Sequence, residues 1–277
     1  YTDIPQGEAT GNLEVREKAH VARILHGDDG KVTGVEYYDE DGNLHMQAAR
    51  IVALAGNSFE SPRLLLNSAS TMFPDGLANS SGQVGRNYMR HLTASVYGIF
   101  DKPVRMWRGT TMAGIVQDES RHDPSRGFVG GYELETLSLG LPFMAAFLDP
   151  GAWGREFTTA LDHYENMASM WIVGEDMPQA DNRVTLSEVT DQWGLPVANV
   201  HYSDHANDRA MREHAFARGA AIYDAVGATR TLPTPPYPST HNLGTNRMSD
   251  DPAEGVVNRW GQTHDIANLF VSDGSQF

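Results

Sequence analysis

An α/β fold joined to a sheet-based α+β region is the architecture this sequence predicts, and three observations carry it. Residues 50–55, Arg50-Ile51-Val52-Ala53-Leu54-Ala55, become continuously apolar and stop at Gly56, after which Ser61-Pro62 opens a helix. A continuous apolar run reads as a strand covered on both faces, while Ser is a good N-cap and Pro is tolerated at the first helical position. Far downstream, Leu269-Phe270-Val271 forms a second short buried strand that ends in an Asp273-Gly274 turn. Between 92 and 238, short β-like runs alternate with turns and two helices, as in a sheet covered by helices.

Taken in order, strands are expected at 13–16, 19–25, 32–38 and 44–55, separated by Asp28-Asp29-Gly30 and Asp39-Glu40-Asp41-Gly42-Asn43. Asp-Gly supplies the positive φ that tight hairpins require. Further strands are expected at 93–100, 111–117, 167–175, 183–187 and 197–202. A helix capped near Asp204 runs through Arg209, Met211, Ala215, Ile222 and Val226 until Gly227 stops it.

A chain of 277 residues is long enough for one large or two ordinary domains. The formal net charge of -15 argues against nucleic-acid binding, which needs clustered Lys and Arg. Such acidity serves solubility and also suits a basic redox partner. With no cysteine, disulfides and thiolate metal sites are excluded within these residues. No apolar run is long enough for a membrane span; the best, 136–148, is short and contains Gly140 and Pro142. The chain starts at Tyr1 without a signal-like segment and ends abruptly at Phe277, so a piece of a longer chain is expected.

The most legible chemistry lies in 239–277. His241 stands in Thr240-His241-Asn242-Leu243-Gly244-Thr245, a small-residue context where backbone passes close to a ligand. Imidazole titrates near neutrality and therefore suits proton transfer. The alternative on the same residues is a histidine satisfied within a loop. Asp273-Gly274 and Gly56 lie at strand ends, where open α/β sheets hold ligands, although each is also an ordinary turn. His201, Asp204 and His205 do not make a metal site, because their spacing crosses a strand end and a helix cap, and no metal is expected. His264 is a turn residue, and Trp107, Trp153, Trp171 and Tyr132 are read as core rather than as a sugar-stacking surface.

His241-Asn242-Leu243-Gly244-Thr245-Asn246-Arg247-Met248 resembles a segment of the glucose-methanol-choline (GMC) flavin oxidoreductases, most closely the bacterial gluconate, fructose and sorbitol dehydrogenase branch. Ala55-Gly56-Asn57-Ser58-Phe59-Glu60-Ser61-Pro62-Arg63-Leu64-Leu65 resembles the same family, with Asn57 replacing a small apolar residue. The linker from Gly82 to His91 is similar as well, with Arg90 in place of an acidic residue. The resemblance implies a catalytic base at His241 and FAD as cofactor. It places the adenine end of FAD near Val21, Ala55 and Gly56, and the ribityl and pyrophosphate near Asp273 and Gly274. His91 would be a structural hydrogen-bonder rather than an acid or base.

The domains expected on this basis are part of an FAD-binding domain at 1–91, a substrate domain at 92–238, and a return to the FAD-binding domain at 239–277. The N-terminal dinucleotide-binding βαβ unit is missing, since the sequence contains no Gly-x-Gly-x-x-Gly. The implied activity is oxidation of a CH–OH group in a sugar, sugar acid or polyol, with hydride passing to flavin N5. Electrons would go to a non-oxygen acceptor, such as a cytochrome subunit. Two alternatives stay open: a GMC oxidase reducing oxygen to peroxide, and a partner-binding remnant that has lost FAD, which the absent glycine motif supports. The resemblance implies a periplasmic or membrane-associated setting, and a cytoplasmic one is compatible.

Overall fold

The computed structural model describes residues 2–148, 151–236 and 239–277. In chain order the elements are helix α1 (Asp3–Ala9), strands β1 (His20–His26), β2 (Val32–Tyr38), β3 (Leu44–Ala48) and β4 (Val52–Leu54), and helix α2 (Asn57–Asn67). Strands β5 (Leu92–Ile99), β6 (Ile115–Val116) and β7 (Tyr132–Leu137) follow, then helices α3 (Leu141–Leu148) and α4 (Arg155–Leu161) and strands β8 (Met167–Gly174), β9 (Arg183–Thr190) and β10 (Pro196–His201). Helix α5 (Ala206–Ala225) and strands β11 (Arg230–Pro233) and β12 (Leu269–Val271) complete the series.

The chain folds into two compact units. One comprises Tyr1–Tyr88, Ala180–His201 and Leu243–Phe277, and the other Met89–Gln179 and Tyr202–Asn242. Two segments lie elsewhere than in the linear scheme of 1–91, 92–238 and 239–277. The β9–β10 hairpin belongs to the first unit, and His241 belongs to the second. The expected boundary at Pro238 lies outside the described residues.

Gly85 is the residue where the three pieces of the first unit meet. Its N–H donates to Thr245 O at 2.7 Å, and its carbonyl accepts from Val184 N at 2.7 Å. Its φ of +84° and a Cβ position 2.2 Å from Val184 O leave room only for hydrogen there. Trp193, at the tip of the hairpin, stacks on Tyr38 with centroids 4.9 Å apart and planes 7° apart. Backbone and ring contacts therefore fix in the first unit a segment that the expected scheme placed in the substrate domain.

The remainder of the first unit is a β1–β2–β3 antiparallel meander and a parallel β4–β12 pair in the register Val52↔Leu269, Ala53↔Phe270, Leu54↔Val271. Val52 and Leu54 are buried with Leu65 of α2 and with Leu269 and Val271, whereas Ala53 is exposed. The strand expected to be covered on both faces thus packs on one, and Ile51 is 61% exposed. The single run expected over 44–55 is split: β3 pairs with β2, and β4 pairs with β12. Residues 13–16 form no strand; Leu13 lies against Gly7 of α1, a helix the sequence pattern did not reveal.

Helix α2 begins at Asn57, four residues ahead of the expected cap. Asn57 adopts φ +74°, and its Oδ1 accepts from Phe59 N at 2.8 Å and Glu60 N at 3.3 Å, which turns the chain into the helix early. Pro62 therefore sits inside the helix and has no N–H to give to Ser58 O. That carbonyl instead accepts from Thr245 Oγ1 at 2.8 Å.

In the second unit a five-stranded antiparallel sheet runs in the order β11-β5-β8-β7-β6. Helix α5 packs on it, and Gly219 lets the helix approach Val96 of β5. α5 starts one residue later than expected, with His205 as its cap: His205 Nδ1 accepts from Asn207 N at 3.1 Å, and Asp208 reaches back to His205 N. Asp204 is instead engaged with Arg90 and Arg212. β6 spans only two of the residues expected over 111–117, and β7 and β11 were not anticipated. Among the described residues no helix is long and apolar enough to cross a membrane.

Candidate active site

At the C-terminal end of β4 the first unit carries a groove of about 700 Å³, lined by Val21, Val35, Ile51, Ala53, Ala55 and Gly56 together with His20, Glu60, Ser61 and Arg63. Three of the residues singled out for cofactor binding, Val21, Ala55 and Gly56, therefore share one concavity. Val21 and Ile51 leave apolar surface uncovered, 37% and 61% exposed. Apolar walls beside polar and backbone groups suit a flat heterocycle with hydrogen-bonding edges.

Asp273 and Gly274 follow β12, parallel to and in register with β4, and open a short 3₁₀ turn. Asp273 Oδ2 accepts from Asn57 N at 3.0 Å and from Ser61 Oγ at 2.5 Å, and its Oδ1 accepts from Ser275 N at 2.9 Å. Ser61 Oγ in turn accepts from Gly56 N at 3.0 Å. The carboxylate thus staples the strand-to-helix junction of α2 to the end of β12, and Ser61 connects it to the groove. Asn246 secures the same turn from the other side: its N–H donates to Ser275 O at 2.7 Å and its Nδ2 to Ser275 Oγ at 3.0 Å. Pattern reasoning took Ser61 for a helix cap and gave Asn246 no role, since neither partner lies nearby in sequence.

His241 lies in the second unit and is exposed. Its backbone N–H donates to Ser239 Oγ at 3.1 Å. Its Nδ1 lies 3.2 Å from Nδ1 of His91, with the rings edge to face, centroids 5.2 Å apart and planes at 84°. His91 precedes β5 with φ +54°. Burial, reinforced by the charge of His241, lowers the His91 pKa, while Glu175 acts against both. Burial and Glu133 raise the Glu135 pKa, and His241 opposes that rise. Beside His91 is a small hollow of about 160 Å³, lined also by Ser120, Tyr132, Glu133 and Glu175. His91 is the hydrogen-bonder it was expected to be, and its partner is His241 itself.

Two GMC oxidoreductase family models match the chain, over residues 4–93 and 178–277. Among curated proteins it is similar to 2-methyl-1,2-propanediol dehydrogenase of Mycolicibacterium austroafricanum, with 36% identity over 99% of this chain and 52% of that protein. It is also similar to the fructose dehydrogenase large subunit of Gluconobacter japonicus, with 29% identity over 88% of this chain and 46% of that protein. Among solved structures, pyridoxine 4-oxidase from Mesorbium loti superposes with a TM-score of 0.66 at 20% identity, covering 93% of this chain and 52% of that one. The chain spans about half the length of the curated relatives it matches.

Proposed function

Because the chain belongs to the GMC oxidoreductase family, whose cofactor is FAD, we propose that it contributes the base and part of the flavin cradle to an enzyme oxidising the CH–OH group of a sugar, sugar acid or polyol. The observation that carries this reading is the pairing of His241 with a second imidazole at 3.2 Å. A ring held through one nitrogen offers the other for proton transfer.

The groove fits one end of a dinucleotide. Val21, Ala55 and Gly56 would take the adenine end, and the Asp273-Gly274 turn would approach the ribityl and pyrophosphate, with Asp273 acting chiefly by fixing the backbone around it. Bound FAD supplies the acceptor, at N5, for the carbon-bound hydride. His241 takes the hydroxyl proton. The dehydrogenase names of the two curated relatives above support an electron acceptor other than oxygen, although other relatives are named oxidases. The words "large subunit" in one of them support a partner subunit, such as a cytochrome, in that role.

The test is the visible spectrum of the protein from its complete reading frame, recorded anaerobically before and after adding vicinal diols, hexoses and aldonic acids. Bleaching of a flavin spectrum by one class supports the reading and names the substrate class. A colourless protein that takes up no added FAD sinks it, and stoichiometric peroxide on admitting air overturns the non-oxygen acceptor.

A further inference from the structure

The two histidines face each other through the same atom type, and that symmetry constrains their protonation. A hydrogen bond between Nδ1 and Nδ1 at 3.2 Å requires one ring to donate and the other to present a bare nitrogen. For His241 to serve as a base with Nδ1 already engaged, the reacting atom has to be Nε2. Nε2 is bare only in the tautomer that carries its hydrogen on Nδ1. His241 then donates, and His91 accepts.

We propose that His91 is the positioning residue of His241: its bare Nδ1 holds His241 in the Nδ1–H tautomer and so makes Nε2 the proton-accepting atom. The inference rests on the reading of His241 as the base.

The surroundings of His91 agree with this role. Its left-handed backbone, at φ +54°, is an unusual conformation for a residue with a Cβ. It is held by the preceding residue. Arg90 N donates to Asp176 Oδ2 at 2.9 Å, while the Arg90 guanidinium lies 4.2 Å from the Tyr202 ring centroid and 3.3 Å from Asp204 Oδ1. Backbone strain maintained by such anchors is found where a side chain has to be aimed. Burial and the neighbouring His241 both depress the His91 pKa, so His91 stays a neutral acceptor when His241 gains a proton, and the bond becomes charge-assisted. Among the described residues, the ionisable groups beside the pair are Glu133 and Glu135 on β7, Glu175 after β8, and Tyr132, whose hydroxyl is bonded to His214. The three carboxyls are acidic; Glu175 acts on His91 and His241 acts on Glu135 through charge.

The experiment uses the full-length holoenzyme in three forms: wild type, His91→Phe and His91→Gln. Anaerobic flavin reduction is followed against pH, and ¹⁵N NMR of labelled histidine assigns the His241 tautomer. In the wild type, NMR should show His241 with hydrogen on Nδ1. His91→Phe should slow limiting flavin reduction at least tenfold and move the acidic limb of the pH profile to lower pH, because the imidazolium loses its acceptor. His91→Gln, whose carbonyl oxygen accepts in place of the imidazole, should keep the limb near its wild-type position. A wild-type His241 with hydrogen on Nε2 overturns the inference whether or not the variants fold, and so does a His91→Phe profile that superposes on the wild type. His241→Ala separates the two levels. If that variant reduces flavin at the wild-type rate, the base reading itself has failed; if it is slow while His91→Phe is normal, only the positioning role falls.

Discussion

Asp273 in the first unit spends both carboxylate oxygens on its own chain, on two backbone amides and a serine hydroxyl. His241 in the second unit is exposed and bonded through one ring nitrogen to a group that can itself titrate. Around Asp273 the three donors tie separate segments together, and the geometry holds a shape. Around His241 the same bond has two protonation patterns, and the positioning role proposed for His91 would select between them. On the roles proposed above, the contrast separates the holding of a cofactor from the handling of a proton: the first needs polar groups satisfied internally, and the second needs one left with a choice.

The sharpest way to break this contrast is His241→Ala in the complete protein. Flavin content should be unchanged, while anaerobic flavin reduction should slow by about 10²–10⁴, the usual worth of a positioned base. Stopped-flow absorbance checks it, and an unslowed reduction would remove the proton-handling role from the second unit.

The first unit should be most sensitive at Gly85. Ala at this position places Cβ against Val184 O and keeps a left-handed φ. A loss on the order of 2–4 kcal/mol is expected, read from denaturant unfolding of the complete protein. Asp273→Ala should come next, costing about 1–3 kcal/mol for the donors it strands. It should also weaken FAD retention in a dilution assay while leaving the reduction rate of the flavin-loaded fraction near wild type. A large fall in that rate with normal retention would contradict the staple described for Asp273.

A subtler effect concerns Asp176, where burial raises the pKa to about 6; the Arg90 N–H acts against the rise and Asp208 adds to it. A carboxyl whose folded pKa exceeds its unfolded value contributes stability that is fully present below about pH 4 and lost as pH rises through its folded pKa. Asp176→Asn should therefore flatten the pH dependence of stability between pH 4 and 7, by up to about 3 kcal/mol at about 1.4 kcal/mol per unit. Urea unfolding at several pH values measures this, and an unchanged slope would show that Asp176 ionises freely in the fold.

Much of the framework was legible in the chain. The Asp-Gly turns, the strand at Leu269–Val271 and the long helix stopping just before Gly227 follow from local rules: positive φ at glycine, apolar runs bounded by turns, and a helix stop. Val21, Ala55 and Gly56 emerged through resemblance, and the structure sets all three along one groove. Ser61 and Asn246 were misjudged or passed over because their partners, Asp273 and Ser275, lie 212 and 29 residues away. His91 was seen as a hydrogen-bonder, but the bond to His241 spans 150 residues and no local pattern encodes it.

By itself the sequence determined the turns, the apolar strands, the acidic charge and the family, since each depends on residue type at short spacing. Tertiary structure alone decided that the β9–β10 hairpin joins the first unit through Gly85, that Pro62 frees a carbonyl for Thr245, and that two histidines meet Nδ1 to Nδ1. The physical reason is common to all three. A hydrogen bond depends on atoms arriving within about 3 Å in a particular orientation, and only the folded chain brings such distant residues together.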